Sequence, residues 1–461
     1  MARGVVTEPG ATTSIPDPPA SMHFVGIGGI GVSGLARLLR GRGYDVRGSD
    51  MTASEVTAAL IAEGIEVRIG HAPEHVAGAD VVITTAAAAH DNVELVAARA
   101  RQIPVAKRAA VLGVLARPYR TLAVAGTHGK STTSGMAAVA LDTAGYAPGF
   151  AVGAVVPEFG TNARDSGGDY FVVEADEYDY SFLQLEPDVA IVTNVEHDHP
   201  DLFPDFDSVL DAFHRFVRLI RPGGTLALSA DDPGCWRLRE LAADLSGVSV
   251  VTFGVESGDW RLQGVRKVSG PGGQTFELPL SVPGRHNRLN ALSVLAAAGG
   301  FGVEPGELLE GLAAFKGVGR RFEIVREDRA LVVVNDYAHH PTEIGAPVNA
   351  AHERYPGRRL VIVFQPHTYS RTRAFLQQFA GALDQGDIVI LADIYPARER
   401  NDLGVSSASI AERMTAAVEL AGSPEDAANR TLAILEPGDV VLVLGAGDIN
   451  RAAAMIAGAA L

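Results

Sequence analysis

Short β-branched apolar runs alternate along the chain with stretches rich in alanine and leucine, the pattern of strands and helices in largely parallel α/β sheets. Three such series follow one another. The first opens at His23-Phe24-Val25-Gly26 and includes Asp80-Val81-Val82-Ile83 and a strand near Ile103-Pro104-Val105. The second opens at Thr121-Leu122-Ala123-Val124-Ala125 and runs through Tyr170-Phe171-Val172-Val173, Val189-Ala190-Ile191-Val192 and Thr225-Leu226-Ala227-Leu228. It closes with a helix after His286-Asn287-Arg288. The third begins near Gly319-Arg320-Arg321 and holds four apolar strands, at 331–334, 360–364, 388–391 and 440–444. Pro118 follows a helical run, and composition turns glycine-rich at Lys316-Gly317, so the predicted domains are 21–118, 119–317 and 318–461. Residues 1–20, rich in Pro, Thr and Gly, are expected to form a disordered tail.

Composition adds exclusions. A chain of 461 residues is too long for one core, and its apolar and charged fractions are those of a globular protein. The formal net charge of -16 leaves no basic surplus for general nucleic-acid binding. The N-terminus lacks the apolar core of a signal peptide, and the apolar stretch ending at Leu461 is far shorter than the ~20 residues that span a bilayer. No stable membrane insertion is expected. The single cysteine, Cys235, rules out an internal disulfide and fits a reducing, cytoplasmic setting. The oligomeric state stays open.

Candidate chemistry is concentrated where strands end. Gly126-Thr127-His128-Gly129-Lys130-Ser131 lies between a strand and a helix predicted over 132–143, the context of a phosphate-binding P-loop. Backbone N–H groups at the helix start face phosphate oxygens, Lys130 reaches the β/γ-phosphates, and the Ser131 hydroxyl suits Mg²⁺. The general template has glycine five positions before Gly129; here Val124 stands there, so the loop is a shortened variant. A glycine turn capped by a hydroxyl would look similar, but the placement of Gly-Lys-Ser favours nucleotide. Glu174 ends the strand after Phe171-Val172-Val173, where it can hold Mg²⁺ and balance Lys130. The acids that follow, Asp176, Glu177 and Asp179, read as a solvated loop. In Thr193-Asn194-Val195-Glu196-His197-Asp198-His199 the two histidines lack further ligands at zinc spacing, and Mg²⁺ prefers oxygen.

Gly26-Ile27-Gly28-Gly29-Ile30-Gly31 satisfies G-x-G-x-x-G, with Asp50 where a ribose-binding acid would stand. Taken alone this suggests a dinucleotide-dependent oxidoreductase. A dehydrogenase has no need of the downstream ATP loop, so the reading preferred is a nucleoside diphosphate carried on a substrate. A non-catalytic nucleotide switch is the other alternative.

In this order, the 26–34 and 126–133 segments, Glu174, the Asn194-to-His199 run, His286-Asn287-Arg288-Leu289-Asn290, Gly319-Arg320-Arg321-Phe322 and Asp336-Tyr337-Ala338-His339-His340-Pro341 resemble the Mur ligases, over almost the whole chain from His23. The double histidine after Tyr337, with Gln365-Pro366-His367 and Ser370-Arg371-Thr372, is most similar to the branch that adds the first amino acid. A sister branch that reattaches recycled tripeptide is the near alternative. Ser131 stands where the family more often has threonine, and Thr84-Thr85 where it more often has two serines.

The resemblance implies an α/β protein of three domains: Rossmann-like, central P-loop ATPase-type, and Rossmann-like again, the last closing over ATP and amino acid. It implies ATP and Mg²⁺ as cofactors and UDP-N-acetylmuramate and L-alanine as substrates, joined through an acyl phosphate. Lys130, Glu174 and His199 would be catalytic, with Ser131, Glu174 and His199 on metal. Gly126, Thr127, His128, Gly129, Lys130, Ser131 and Thr132 would hold the phosphates, with His286, Asn287, Asn290 and Arg320 also on the nucleotide. Asn287 could also be a helix cap, and both roles can hold together. Gly28, Gly29, Ile30, Gly31, Asp50, Thr84, Thr85 and Arg321 would bind the UDP-linked substrate. His339, His340, His367 and Arg371 would lie near the incoming alanine, its carboxylate or the phosphates.

Overall fold

The computed structural model describes residues 15–165, 167–243, 245–397 and 399–459. Of the tail expected over 1–20, residues 1–14 lie outside the described residues. The rest is anchored: the Pro16 carbonyl accepts from the Tyr44 hydroxyl at 3.0 Å, and Ala20 is buried.

Three α/β domains are built on three sheets, gathered into two compact bodies. The first body comprises 15–195, 210–280 and 289–316; the second comprises 196–209, 281–288 and 317–459.

The first sheet has five parallel strands, in the order Glu66–Ile69, Asp45–Asp50, Ser21–Val25, Val81–Thr84, Val105–Lys107. Connections run one way from Ser21–Val25 and the other way from Val81–Thr84. Their C-terminal ends therefore bound the crevice where open α/β sheets bind ligands.

The second sheet has ten strands. Arg120–Ala125 lies between Val189–Val192 and Tyr170–Glu174, all parallel and nearly all buried. Thr225–Ser229 and Ser249–Gly254 extend it in parallel. Short antiparallel strands that the apolar pattern did not predict finish it: Lys267–Ser269 and Thr275–Glu277 at one edge, Thr161–Arg164 at the other.

These two sheets share the first body, through helix Arg108–Ala116 against the turn Tyr178–Gln184 and through a larger contact. Helix Ile30–Gly41 packs on the hairpin of Gly149–Val156 and Thr161–Arg164. Asn162, buried at its centre, donates to the Ile30 carbonyl at 2.6 Å and accepts from Arg37 at 2.9 Å. A Cβ at Gly34 would come within 2.7 Å of the Asn162 amide, so glycine is required there by close approach.

The second body is built on a six-stranded sheet, two strands more than predicted. The parallel strands Leu331–Asp336, Asp439–Leu444, Leu360–Phe364 and Ile388–Leu391 are flanked by antiparallel Glu323–Glu327 and parallel Ala417–Leu420. Val332, Val334, Ile362 and Leu442 face one core, and Val333, Val361, Val363 and Val441 the other. With both faces covered, these strands read as unbroken apolar runs. The two extra strands lie at the edges; Glu323–Glu327 is broken by Glu and Arg and Ala417–Leu420 by Glu419, which hid them.

Candidate functional site

Strand Arg120–Ala125 ends in a turn that only glycine makes without strain: Gly126 has φ 135° and Gly129 φ 84°. Helix Lys130–Thr143 starts immediately after, two residues earlier than the 132–143 predicted. Val124 is fully buried in the strand, which is why the loop is shorter than the general pattern. The neighbouring strand end fixes the turn. Asn194 accepts from the His128 N–H at 2.8 Å, its carbonyl accepts from the Thr127 N–H at 3.1 Å, and the Thr193 hydroxyl donates to the His128 carbonyl at 2.5 Å. Asn290 packs on the other side, 2.9 Å from where a Cβ at Gly129 would lie. Thr132 is buried in the first helical turn.

Glu174 accepts from the Ser131 hydroxyl at 3.0 Å and from the Gly153 N–H at 2.5 Å. The pair of oxygens from Ser131 and Glu174 is the donor set that a hard cation prefers. Glu174 adds to the negative charge facing Lys130, as expected, but is not its direct hydrogen-bond partner. That partner is Glu177, whose carboxylate lies 2.8 Å from the Lys130 ammonium. Lys130 also donates to the carbonyls of Gly126 at 2.7 Å and Thr127 at 3.0 Å. Glu177 is buried, not part of a solvated loop, because Ala175 and Phe182 on either side of it enter the core. Burial alone would lower the lysine, but Glu177 and Asp176 outweigh it and push it up to about 12. Burial lifts Glu177 to about 7 against the pull of Lys130. The signal that could have found Glu177 was the need of a buried lysine for a counter-ion.

In the first sheet, Gly28, Gly29, Ile30 and Gly31 lead into helix Ile30–Gly41, with Gly29 at its N-cap. The Gly28 N–H donates to Asp50 at 2.8 Å, which joins the loop to the end of Asp45–Asp50. Thr84 and Thr85 stand at the end of Val81–Thr84, the Thr85 methyl 3.6 Å from the position of a Cβ at Gly26. Beneath lies a buried carboxylate that sequence reasoning missed. Glu94 is 0% exposed and meets His23 at 3.0 Å, Ser49 at 2.6 Å and His75 at 2.7 Å. Burial raises it, yet these hydrogen bonds win and hold it down at about 2.

The second body collects the remaining candidates. Asp198 and Arg371 form a buried ion pair at 2.8 Å; the guanidinium also donates to the His367 carbonyl at 3.0 Å and lies 3.4 Å from the His199 Nδ1. Although burial opposes its charge, Asp198 lies well below the usual carboxylate range because Arg371 and His199 face it. Arg371 was expected on the substrate; at 3% exposure and with these partners it is occupied by protein. His199 has φ 52°, a backbone held by the carboxylate of Asp198 at 2.6 Å from its N–H.

The guanidinium groups of Arg320 and Arg321 both lie over the Tyr337 ring, at 4.8 and 5.3 Å from its centre. Arg320, expected on nucleotide, donates instead to the carbonyls of Gly445 at 2.7 Å and Gly447 at 3.0 Å. Arg321 meets Glu343 at 3.2 Å. His339 bonds the Tyr337 carbonyl at 2.9 Å and Glu343 at 3.0 Å, with the His367 ring 5.7 Å away. His340 caps helix Pro341–Arg354 through Nδ1, and His367 stacks on Tyr395. His286 and Asn287 lie in the first turn of helix Arg285–Phe301. Burial and the nearby Arg321 and Arg288 lower His286 to about 4. Asn287 is inside the helix and donates to the Pro283 carbonyl at 2.6 Å, so it is not the cap considered for it.

A glycine–lysine–serine loop clasped by its neighbouring strands, a carboxylate on its serine, and α/β domains before and after it define an ATP-dependent enzyme of the ligase type. The chain belongs to the Mur ligase family. Its models match in order: the catalytic domain over 21–120, the middle domain over 124–298 and the glutamate ligase domain over 320–447. The UDP-N-acetylmuramate–L-alanine ligase of Mycolicibacterium vanbaalenii is 44% identical, over 96% of this chain and 97% of its own length. The ligase of that name from Mycobacterium bovis is 44% identical over 95% and 94%. Among solved structures, the UDP-N-acetylmuramate–alanine ligase of Thermotoga maritima aligns with TM-score 0.79 and 30% identity, over 95% of this chain and 98% of that one. A murein peptide ligase from Psychrobacter arcticus aligns with TM-score 0.76 and 25% identity, over 96% and 100%. No helix among the described residues is long and apolar enough to cross a membrane.

Proposed function

We propose that the chain joins L-alanine to the carboxylate of UDP-N-acetylmuramate at the expense of ATP, in the cytoplasm, as a step in peptidoglycan precursor synthesis. The observation that supports this most is the likeness, over 96% of the chain, to a relative bearing that name. The substrate carboxylate attacks the γ-phosphorus and ADP leaves, giving an acyl phosphate. The alanine amine then attacks the acyl carbon, loses a proton and expels phosphate. Two anions must meet in the first step, so the charge on the phosphates has to be reduced.

Lys130 does this by exchanging Glu177 and the loop carbonyls for phosphate oxygens. The N–H groups from Gly126 to Thr132 cradle the phosphates, and Asn290 keeps Gly129 in place. Ser131 and Glu174 would hold Mg²⁺, which supplies further positive charge at the transferred group. Gly28 to Gly31, Asp50, Thr84 and Thr85 hold the UDP portion. His199, set by Asp198 and Arg371, orients the substrate carboxylate, while His286 and Asn287 serve the adenine side. His339, His340 and His367, with Arg321 behind them, receive the amino acid.

Phosphate release with UDP-N-acetylmuramate, and L-alanine, glycine, L-serine or recycled tripeptide supplied separately, tests the reading. Preference for L-alanine is expected. Preference for tripeptide would transfer the assignment to the peptide-recycling activity, which the likeness to the Psychrobacter enzyme keeps in view. Lys130→Ala should lower turnover by about a thousandfold; unchanged amino-acid-dependent release would mean that the loop is not catalytic.

A further inference from the structure

The first body holds an arginine with no assigned role. Arg108 begins helix Arg108–Ala116 directly after strand Val105–Lys107, at the C-terminal edge of the first sheet. Its guanidinium comes within 3.3 Å of where a side chain at Gly31 would begin, beside the first turn of the helix that the glycine loop feeds. On its other side it lines a narrow cleft with Leu112, Glu174, Asp176 and Ser181. One half-buried cation thus stands between the glycine loop and the carboxylate that meets Ser131.

Four other arginines of this body are neutralised. Arg37, Arg42, Arg164 and Arg221 each meet a carboxylate, at 2.7, 2.9, 2.6 and 3.1 Å. Arg108 makes no hydrogen bond, ion pair or ring contact with any described residue. Partly open to solvent and held by no carboxylate among the described residues, this guanidinium is free to meet an anion that arrives from outside. Glu174 and Asp176 across the cleft repel that anion and bias it toward the glycine-loop side, where the helix terminus adds to the attraction.

We propose that Arg108 binds the diphosphate of the nucleotide-linked substrate, an inference that rests on the function proposed above. The planar fork of a guanidinium suits two phosphate oxygens, which lysine engages as a point charge only. A side chain at Gly31 would crowd this guanidinium, 3.3 Å from where its Cβ would lie.

Calorimetric titration with UDP-N-acetylglucosamine tests the assignment, since this probe has the diphosphate but no sugar carboxylate and needs no turnover. Arg108→Met should weaken its binding about ten- to hundredfold, and Arg108→Lys should restore part of it. ATP affinity and the unfolding temperature should stay as in the parent, which separates the effect from misfolding. Equal binding of the probe by parent and Arg108→Met overturns the proposal. So does a rise in KM for UDP-N-acetylmuramate with probe binding unchanged, which would put Arg108 on the carboxylate. If the parent binds the probe but adds no alanine, the proposed function fails while the role of Arg108 stands.

Discussion

Lys130 shows how much of a site is decided by a partner that sequence spacing does not reveal. In this structure it is satisfied by Glu177 and two loop carbonyls, all of which a bound triphosphate would have to replace. Glu177→Gln removes the charged competitor, so ATP should bind several-fold more tightly, by about 1 kcal/mol, in an equilibrium titration. The same substitution has a pH signature. Glu177 sits at about 7 in the fold against 4.5 when free, so it holds its proton more tightly folded. Its contribution to stability is complete below pH 4.5 and is lost as pH rises through about 7. Urea denaturation across that window should show a flatter decline in the variant. Glu94 has the opposite sign: it is held at about 2, so its contribution is present above pH 4.5 and lost as pH falls through about 2. The glycine, lysine and serine positions of the loop were legible because their chemistry is local. Glu177 and Glu94 were not, because burial supplied by other elements gives them their character.

At the scale of elements, strands covered on both faces announced themselves as apolar runs, whereas edge strands such as Ala417–Leu420 carry a polar face and did not. The segment 196–209 is a similar case. Its histidines drew attention, yet what ties it to helix Tyr369–Ala374 is the Asp198–Arg371 pair, 173 residues apart in sequence. Breaking one side of a buried pair leaves the other charge uncompensated, so Asp198→Asn should cost about 3–5 kcal/mol in chemical denaturation. Arg371→Met combined with it should cost less than the sum of the two single changes. An additive result would mean that the residues stabilise the fold separately.

For the whole molecule, three sheets in two bodies predict two cooperative unfoldings, because the first two sheets share one packed unit. Differential scanning calorimetry should resolve two transitions. ATP at a hundredfold excess over its Kd should stabilise the one that includes the 126–131 loop by about 2.7 kcal/mol. Three independent transitions would contradict the shared unit. The sequence pattern separated the series of strands at Pro118, but the packing of Gly34 on Asn162 joins positions 128 residues apart, roughly the distance at which local pattern is silent.

That packing sets where the chain can be recombined. A graft that replaced only 21–118 with the matching stretch of another family member would lay a foreign helix over Asn162, and any side chain at position 34 would meet its amide. The inherited module is therefore the first sheet together with the hairpin strands Gly149–Val156 and Thr161–Arg164, two pieces of chain separated by the entire ATP loop and its helix. Hybrids that exchange both pieces together should fold, and the part built on the first sheet can drift or be re-engineered only in step with a hairpin that belongs to the second.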